Sequence, residues 1–290
     1  MTTAEADRGP GAGYSPRRTL PLRIEAIRQL RRRRTMLAFG IMLGLPWILA
    51  AAFELGGGPS GNNGNDTVGL AHLATDGGLN FAAFSLFAAT GFLLVVAVAL
   101  FCGDTVASEA SWSSLRYLLA APVPRARLLR QKLTVALGYS LAAVVVFPVM
   151  SLAAGTALYG WHPLRLPGSL VVLPPGTALA RLGIALAYVV VTLLFVAGLA
   201  FLLSVSTDSP LGAVGGAVGL AIVSTILDAV TALGNWREIL PTHWQYAWLD
   251  ALQPQVSWPS MIEGAVISAS YAVVLFAFAF RRFARKDIVS

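Results

Sequence analysis

The sequence predicts an all-α integral membrane protein with six transmembrane helices. Of its 290 residues, 56% are hydrophobic and only 12% are charged, and the mean hydropathy of +0.70 excludes an ordinary water-soluble domain. The apolar residues form six runs, each about as long as the ~20 helical residues that cross a bilayer core. The predicted spans are 36–55, 81–101, 133–154, 182–203, 211–233 and 261–280.

The chain before the first span divides into two parts. Residues 1–19 are rich in Pro, Gly and paired charges, and we expect a disordered cytoplasmic tail there. Residues 20–35 place Ile24, Ile27 and Leu30 on one side of a helix and most cations elsewhere, which predicts an amphipathic elbow helix on the inner leaflet. The alternative is a simple lipid anchor. The six-span domain then covers 36–280, and a basic cytoplasmic tail covers 281–290.

The distribution of cations predicts the orientation of the chain. Of the 21 Lys and Arg residues, 18 lie before the first span, between the second and third spans, or after the sixth. By the positive-inside rule, both termini are therefore cytoplasmic. A nucleic-acid surface would also need positive charge, but these cations flank apolar spans, so we expect lipid headgroups and no nucleic acid as their partners.

The segment between the fifth and sixth spans has a composition typical of the membrane interface. Residues 234–260 contain four tryptophans and a tyrosine, which favours short interfacial or re-entrant helices. Asp228 lies near the outer end of the fifth span, where it either lines a substrate path, pairs with a cation such as Arg237, or is merely interfacial. Asp228, Trp244 and Trp248 are our candidates for a substrate path or outer gate.

The connection between the second and third spans carries the most informative motif. Leu115, Leu118 and Leu119 have helical i, i+3, i+4 spacing, and Pro122 ends the helix, so the segment predicts a short helix with an apolar tip. The acidic residues Asp104 and Glu109 precede this tip and a cationic run follows it. This arrangement favours docking against another protein, although an ordinary connecting loop is the plain alternative.

These residues resemble the loop after the second span of ABC type-2 exporter permeases. The matching order is an acidic residue, a glutamate five residues later, a small pair, Leu-x-x-Leu-Leu-x-x-Pro-x-x-Arg and a later lysine. The family has Glu-x-x-x-Gly-Thr, whereas this chain keeps the glutamate and replaces Gly-Thr with two serines. The resemblance implies a coupling helix that contacts an ATPase subunit through Asp104, Glu109, Ser113, Ser114, Leu115, Leu118, Leu119 and Arg125.

The resemblance further implies a bacterial plasma-membrane permease that exports a hydrophobic or amphiphilic substrate. Its partners would be two copies of an ABC ATP-binding subunit, a second copy of itself or a sister permease, and the lipid bilayer. The chain has no Gly-Lys-Ser/Thr phosphate-binding loop, so ATP and Mg²⁺ would be held by the partner subunit, with no cofactor in this chain. The three histidines are isolated, and we expect neither a metal site nor catalysis.

Two other functions remain open at this point. A secondary transporter or channel would work without nucleotide, but it would need intramembrane ionisable groups or an inverted repeat, and the sequence has only three peripheral acids in its spans. A membrane scaffold without transport is the other alternative. An adjacent gene for a protein with Walker A and signature motifs would favour the exporter.

Overall fold

The computed structural model describes residues 22–56, 66–111 and 125–285, and these residues form an all-helical membrane protein. Helices α1 to α5 are the first five in the described part of the chain. Their bounds are Leu22–Leu30, Arg33–Leu55, Asp66–Leu73, Gly78–Thr90 and Leu93–Ser111. Helices α6 to α10 follow in chain order. Their bounds are Arg125–Tyr159, Pro175–Thr192, Leu194–Ser206, Pro210–Ala229 and Pro259–Arg285.

Five helical segments are long and apolar enough to cross a membrane on their own: α2, α6, the nearly continuous pair α7 and α8, α9 and α10. Helices α4 and α5 pass the same test only as a pair, which brings the number to six. The predicted all-α membrane protein is therefore confirmed. The predicted basic tail differs in one respect, because α10 continues to Arg285 and makes residues 281–285 helical.

The second apolar run is bent, where the sequence predicted one continuous span over 81–101. The direction of the chain changes by 56° between α4 and α5, and the break lies at Gly91 and Phe92. The Tyr246 hydroxyl lies only 2.5 Å from where a Cβ on Gly91 would stand, and the Tyr246 ring packs on Phe87 with centroids 5.0 Å apart. Glycine at the bend thus allows a tyrosine from a distant loop to pack against the exposed backbone.

The interior of the bundle is built around α8, which packs most extensively on α10 and α5. Small residues permit this close packing, and Gly198 of α8 faces Leu275 of α10. A polar contact joins α8 to α5 in the same region. The buried Ser204 hydroxyl accepts hydrogen bonds from the backbone N–H groups of Val106 and Ala107, both at 3.0 Å.

This polar contact predicts a measurable loss of stability. Replacing Ser204 with alanine should lower the free energy of unfolding by about 1 kcal/mol, because two backbone N–H groups lose an acceptor inside the bundle. Thermal unfolding in detergent would measure the change. Ser270→Ala is the matched control, since the exposed Ser270 hydroxyl only donates to Val266 O on its own helix. Equal stability of the two variants would contradict the prediction.

The connections at one end of the bundle are short and irregular. The apolar stretch 164–173 forms an antiparallel hairpin of β1 (Leu164–Arg165) and β2 (Val172–Leu173), with Leu164 opposite Leu173. The Asn80 side chain holds the hairpin to α4 through hydrogen bonds with the backbone N–H and C=O of Arg165. Turns of 3₁₀ helix cover Ala74–Asp76, Thr231–Ile239 and Ala247–Leu252.

The two ends of the bundle differ in the side chains they carry. The basic end carries Arg28, Lys132 and Arg281. The aromatic end carries Trp244 and Trp248.

Candidate functional site

Helix α1 lies at the basic end with its polar side against the bundle. Gln29 is buried, with Nε2 3.5 Å from Phe101 O, and the Tyr139 hydroxyl donates to Ala26 O at 2.8 Å. The opposite side of α1 is exposed and apolar, and it carries the predicted elbow residues Ile24, Ile27 and Leu30. The helix is therefore amphipathic, with an outer face suited to lipid and an inner face suited to polar contacts.

A charge network, buried at Lys132 and Glu109 and 42% exposed at the Arg28 side chain, joins α1 to the ends of α5 and α6. We use this name for Glu25, Arg28, Glu109 and Lys132. Lys132 Nζ lies 2.6 Å from Glu109 Oε1 and 3.1 Å from Glu25 Oε1. Arg28 pairs with Glu109 and, at 2.7 Å, with Glu25 Oε2. The side chains of Lys132 and Glu109 are only 2% and 4% exposed.

The network contains two cations and two carboxylates, so its formal charges cancel. This balance matters because an unpaired charge at a buried position is very unfavourable. Burial by itself raises the pKa of Glu25, but the charges of Lys132 and Arg28 and their hydrogen bonds lower it more, so that its pKa falls below the ordinary value. Burial likewise lowers the pKa of Arg28, and Glu109 and Glu25 raise it above its ordinary value. The contacts therefore keep both groups ionised.

A second set of ion pairs holds the turn between α1 and α2. Asp104 of α5 accepts from Arg32 at 2.7 Å and from Arg34 at 2.8 Å, one cation on each carboxylate oxygen. Arg32 also donates to the Ser108 hydroxyl at 2.8 Å. Since Asp104 is buried, one carboxylate of α5 fixes the direction in which the chain leaves α1.

Two of the residues predicted to contact an ATPase, Asp104 and Glu109, thus form ion pairs with other parts of the same chain. Asp104 faces the turn after α1 and the first residues of α2, whereas Glu109 faces α1 and α6. Two predicted segments lie outside the described residues. One is the tail 1–19, and the other holds the predicted tip residues Ser113, Ser114, Leu115, Leu118 and Leu119. Arg125 begins α6, and its side chain is also outside the described part. The charge network therefore joins α1 to the two helices that flank segment 112–124.

Sequence reasoning missed the partners of these acids. The sequence analysis treated Lys132 as one of the cations that set orientation and as the later lysine of the motif, and it treated Arg28 as one of the cations of the elbow helix. A signal was nevertheless present, because two acids next to the second span need nearby cations if the helix end is buried. The two adjacent basic segments were the nearest sources of such cations in the sequence.

At the aromatic end, Asp228 contacts two side chains of the following loop. Its Oδ1 lies 2.5 Å from His243 Nδ1 and 3.5 Å from Arg237 Nε, so it has the partner considered from the sequence. Trp244 donates from its indole to Glu238 O at 2.9 Å and packs beside Gly264. Trp248 is completely buried, so it packs in the core and lines no opening in this conformation.

Comparison with known proteins identifies a family without a described function. No curated protein matches the chain. Residues 66–289 match the model of a family described as "Protein of unknown function (DUF2705)", which covers every span except the first. Because the match extends over more than half of the sequence, the chain belongs to this DUF2705 family.

Proposed function

We propose that the protein is the membrane-spanning permease subunit of a bacterial ATP-driven exporter similar to the ABC type-2 permeases. In this proposal six spans cross the plasma membrane, both termini are cytoplasmic, and segment 112–124 is a coupling helix. Two ATP-binding subunits hold ATP and Mg²⁺, and two permeases, identical or sister chains, form the transport path. The apolar composition of the spans favours a hydrophobic or amphiphilic substrate.

The observation that carries the proposal is the charge network. It ties the elbow helix to α5 and α6, which are the two helices on either side of the proposed coupling segment. A force applied to that segment would first reach the ends of α5 and α6. Because Lys132 and Glu109 also hold α1, these three helices would move together rather than separately.

The proposed mechanism requires no chemistry in this chain. ATP binding draws the partner subunits together and displaces the coupling segment, and the attached helices shift between two packings whose populations depend on nucleotide. The network maintains its contacts in both packings because its charges balance within the moving unit. At the aromatic end, Asp228 and Trp244 are candidates for the outer gate, with Asp228 held by His243 and Arg237.

Replacing Leu118 and Leu119 together with aspartate should separate the permease from its ATPase. The tagged protein would be purified from its native membranes, and copurifying polypeptides would be identified by mass spectrometry as carrying Walker A and signature motifs. Two buried carboxylates at the interface would cost several kcal/mol, so we expect copurification to fall at least about tenfold, with a parallel loss of nucleotide hydrolysis.

The matched control places the same chemistry at the other end of the molecule. Leu170 and Val171 are exposed near the tip of the hairpin, and replacing both with aspartate should leave copurification and hydrolysis unchanged. Unchanged copurification in Leu118→Asp/Leu119→Asp, or the absence of any ATPase from the wild-type preparation, would contradict the proposed function.

A further inference from the structure

A cleft between the ends of α8 and α10 lies at the basic end, away from the charge network. Its volume is about 730 Å³, which falls in the range of about 300–1,000 Å³ typical of ligand pockets. One wall comes from Leu202 and Leu203 of α8. The other wall comes from one side of α10, with Phe278, Arg281, Arg282 and Arg285.

The residues of α10 along this cleft follow an order of increasing polarity. Phe278, Arg281, Arg282 and Arg285 stand at i, i+3, i+4 and i+7, so they form one stripe about 10 Å long on the helix surface. Phe278 lies toward the membrane interior and is 56% exposed, while the three guanidinium groups follow at the end of the helix. Apolar contacts therefore give way to cations over the length of two helical turns.

The three arginines differ from the cations around Asp104 and Glu109, because none of the three has an ion-pair partner among the residues that the structure describes. Ion pairs with Glu109 are formed by Lys132 and Arg28, and ion pairs with Asp104 are formed by Arg32 and Arg34. Within the ranges that the structure describes, Arg281, Arg282 and Arg285 form neither an ion pair nor a side-chain hydrogen bond. The C-terminal dipole of α10 favours cations there, but three adjacent guanidinium groups still repel one another unless an anion lies among them.

We propose that this cleft binds an anionic phospholipid, with its phosphate among Arg281, Arg282 and Arg285 and an acyl chain along Phe278, Leu202 and Leu203. The order of groups along the cleft matches the order of groups along a lipid, from acyl chain to headgroup. A guanidinium group binds phosphate oxygens with paired N–H donors, which suits a phosphodiester. The apolar wall selects a lipid over soluble phosphate, because free phosphate would leave Phe278 and the two leucines without a partner.

This inference is independent of the proposed transport function, since it needs neither an ATPase nor a substrate. The bound lipid would lie between α8 and α10 and neutralise the repulsion among the arginines. It would thereby stabilise the contact in which Phe201 of α8 packs against Phe276 and Phe280 of α10, with ring centroids 6.1 and 6.4 Å apart.

Native mass spectrometry of the full-length protein tests the site. The protein would be taken from nanodiscs of phosphatidylcholine and phosphatidylglycerol, and the retained lipids would be counted for wild type and for R281Q/R282Q/R285Q. Each cation near an anionic lipid strengthens binding roughly fivefold, so the triple variant should bind phosphatidylglycerol about a hundredfold more weakly. Phosphatidylcholine should be retained poorly by both proteins.

Two further variants make the result specific. R23Q/R31Q/R33Q removes three exposed arginines from the same end of the protein but outside the cleft, so it should lose far less phosphatidylglycerol than R281Q/R282Q/R285Q. R281K/R282K/R285K keeps the charge and should retain most of the binding. Inorganic phosphate added in excess should not displace the lipid.

Four outcomes would overturn the proposal. The first is equal phosphatidylglycerol retention by wild type and R281Q/R282Q/R285Q, and the second is a loss of phosphatidylglycerol in R23Q/R31Q/R33Q as large as that in R281Q/R282Q/R285Q. The third is retention of phosphatidylcholine by wild type equal to its retention of phosphatidylglycerol. The fourth is full displacement of the lipid by inorganic phosphate. The first would be expected if another part of the chain filled the cleft, and the second if only the overall charge mattered. Size-exclusion profiles identical to that of wild type would establish that the variants are folded.

Discussion

Replacing Lys132 with methionine is expected to lower the free energy of unfolding by about 3–5 kcal/mol. Lys132 is 2% exposed and contacts both carboxylates of the charge network. Methionine preserves most of the apolar length of the side chain but removes its charge, so the four-residue network would keep one cation, Arg28, for two carboxylates. The network would then carry an excess negative charge at a buried position. Thermal unfolding in detergent, followed by tryptophan fluorescence, measures the loss.

Two further variants separate the effect of charge from the loss of a lysine. Arg130 lies on the same helix, is exposed, and has no ion pair among the described residues, so Arg130→Met should change stability little. Adding Glu109→Gln to Lys132→Met restores charge balance, because Arg28 still neutralises Glu25. The double variant should therefore recover much of the lost stability. A double variant that is less stable than Lys132→Met would contradict the electrostatic explanation.

Replacing Gly264 with alanine is expected to destabilise the aromatic end by about 3 kcal/mol. A Cβ at this position would collide with the Tyr188 hydroxyl and would lie 2.5 Å from Trp244 Cβ. Tyr188 cannot move aside without cost, because its hydroxyl donates to Trp244 O at 2.6 Å. One methyl group would thus separate α10 from both α7 and the loop that carries Trp244.

Gly138→Ala provides the matched control for this substitution. Gly138 also lies inside a helix, but no atom stands within 4 Å of its would-be Cβ. Alanine has the higher helix propensity, so this variant should be as stable as wild type or up to about 1 kcal/mol more stable. The two melting temperatures should move in opposite directions, and a similar decrease in both would show that close packing at Gly264 is not the cause.

The sequence was sufficient to predict the helical membrane class because length and apolar composition determine which segments can span a bilayer. It could not predict the bend between Thr90 and Leu93. Hydropathy measures the composition of a run and carries no information on its direction, and no proline marks the break. The residue that packs against Gly91 at the bend is Tyr246, which lies more than 150 positions away in sequence.

The candidate site was predicted only in part for a similar reason. The spacing of Asp104 and Glu109 identified them as notable, and the resemblance assigned them to contact with a partner. Their contacts with Arg28, Arg32 and Lys132 depend on how α1 folds back along the bundle. Amphipathic spacing predicts that Ile24, Ile27 and Leu30 share one side of α1, but it does not specify which cations of the other side meet a carboxylate.

The burial of Asp104 and Glu109 also refines their proposed part in coupling. Both carboxylates are occupied within the chain, so we expect the apolar tip to supply the direct contact with an ATPase. The acids would then position the helices that carry this tip. Substitutions in the charge network are therefore expected to lower stability. Substitutions in the apolar tip are expected to weaken binding of the ATPase.

Crosslinking from position 117 tests the central claim most directly. Tyr117→Cys, in a variant whose single cysteine is replaced by Cys102→Ala, would be labelled with a photoreactive maleimide in membranes from cells that express it. Leu170→Cys at the hairpin serves as the control from the other end of the bundle. We predict an adduct from position 117, and none from position 170, with a polypeptide that carries a Walker A motif. An intact purified complex that yields no such adduct from position 117 would contradict the account.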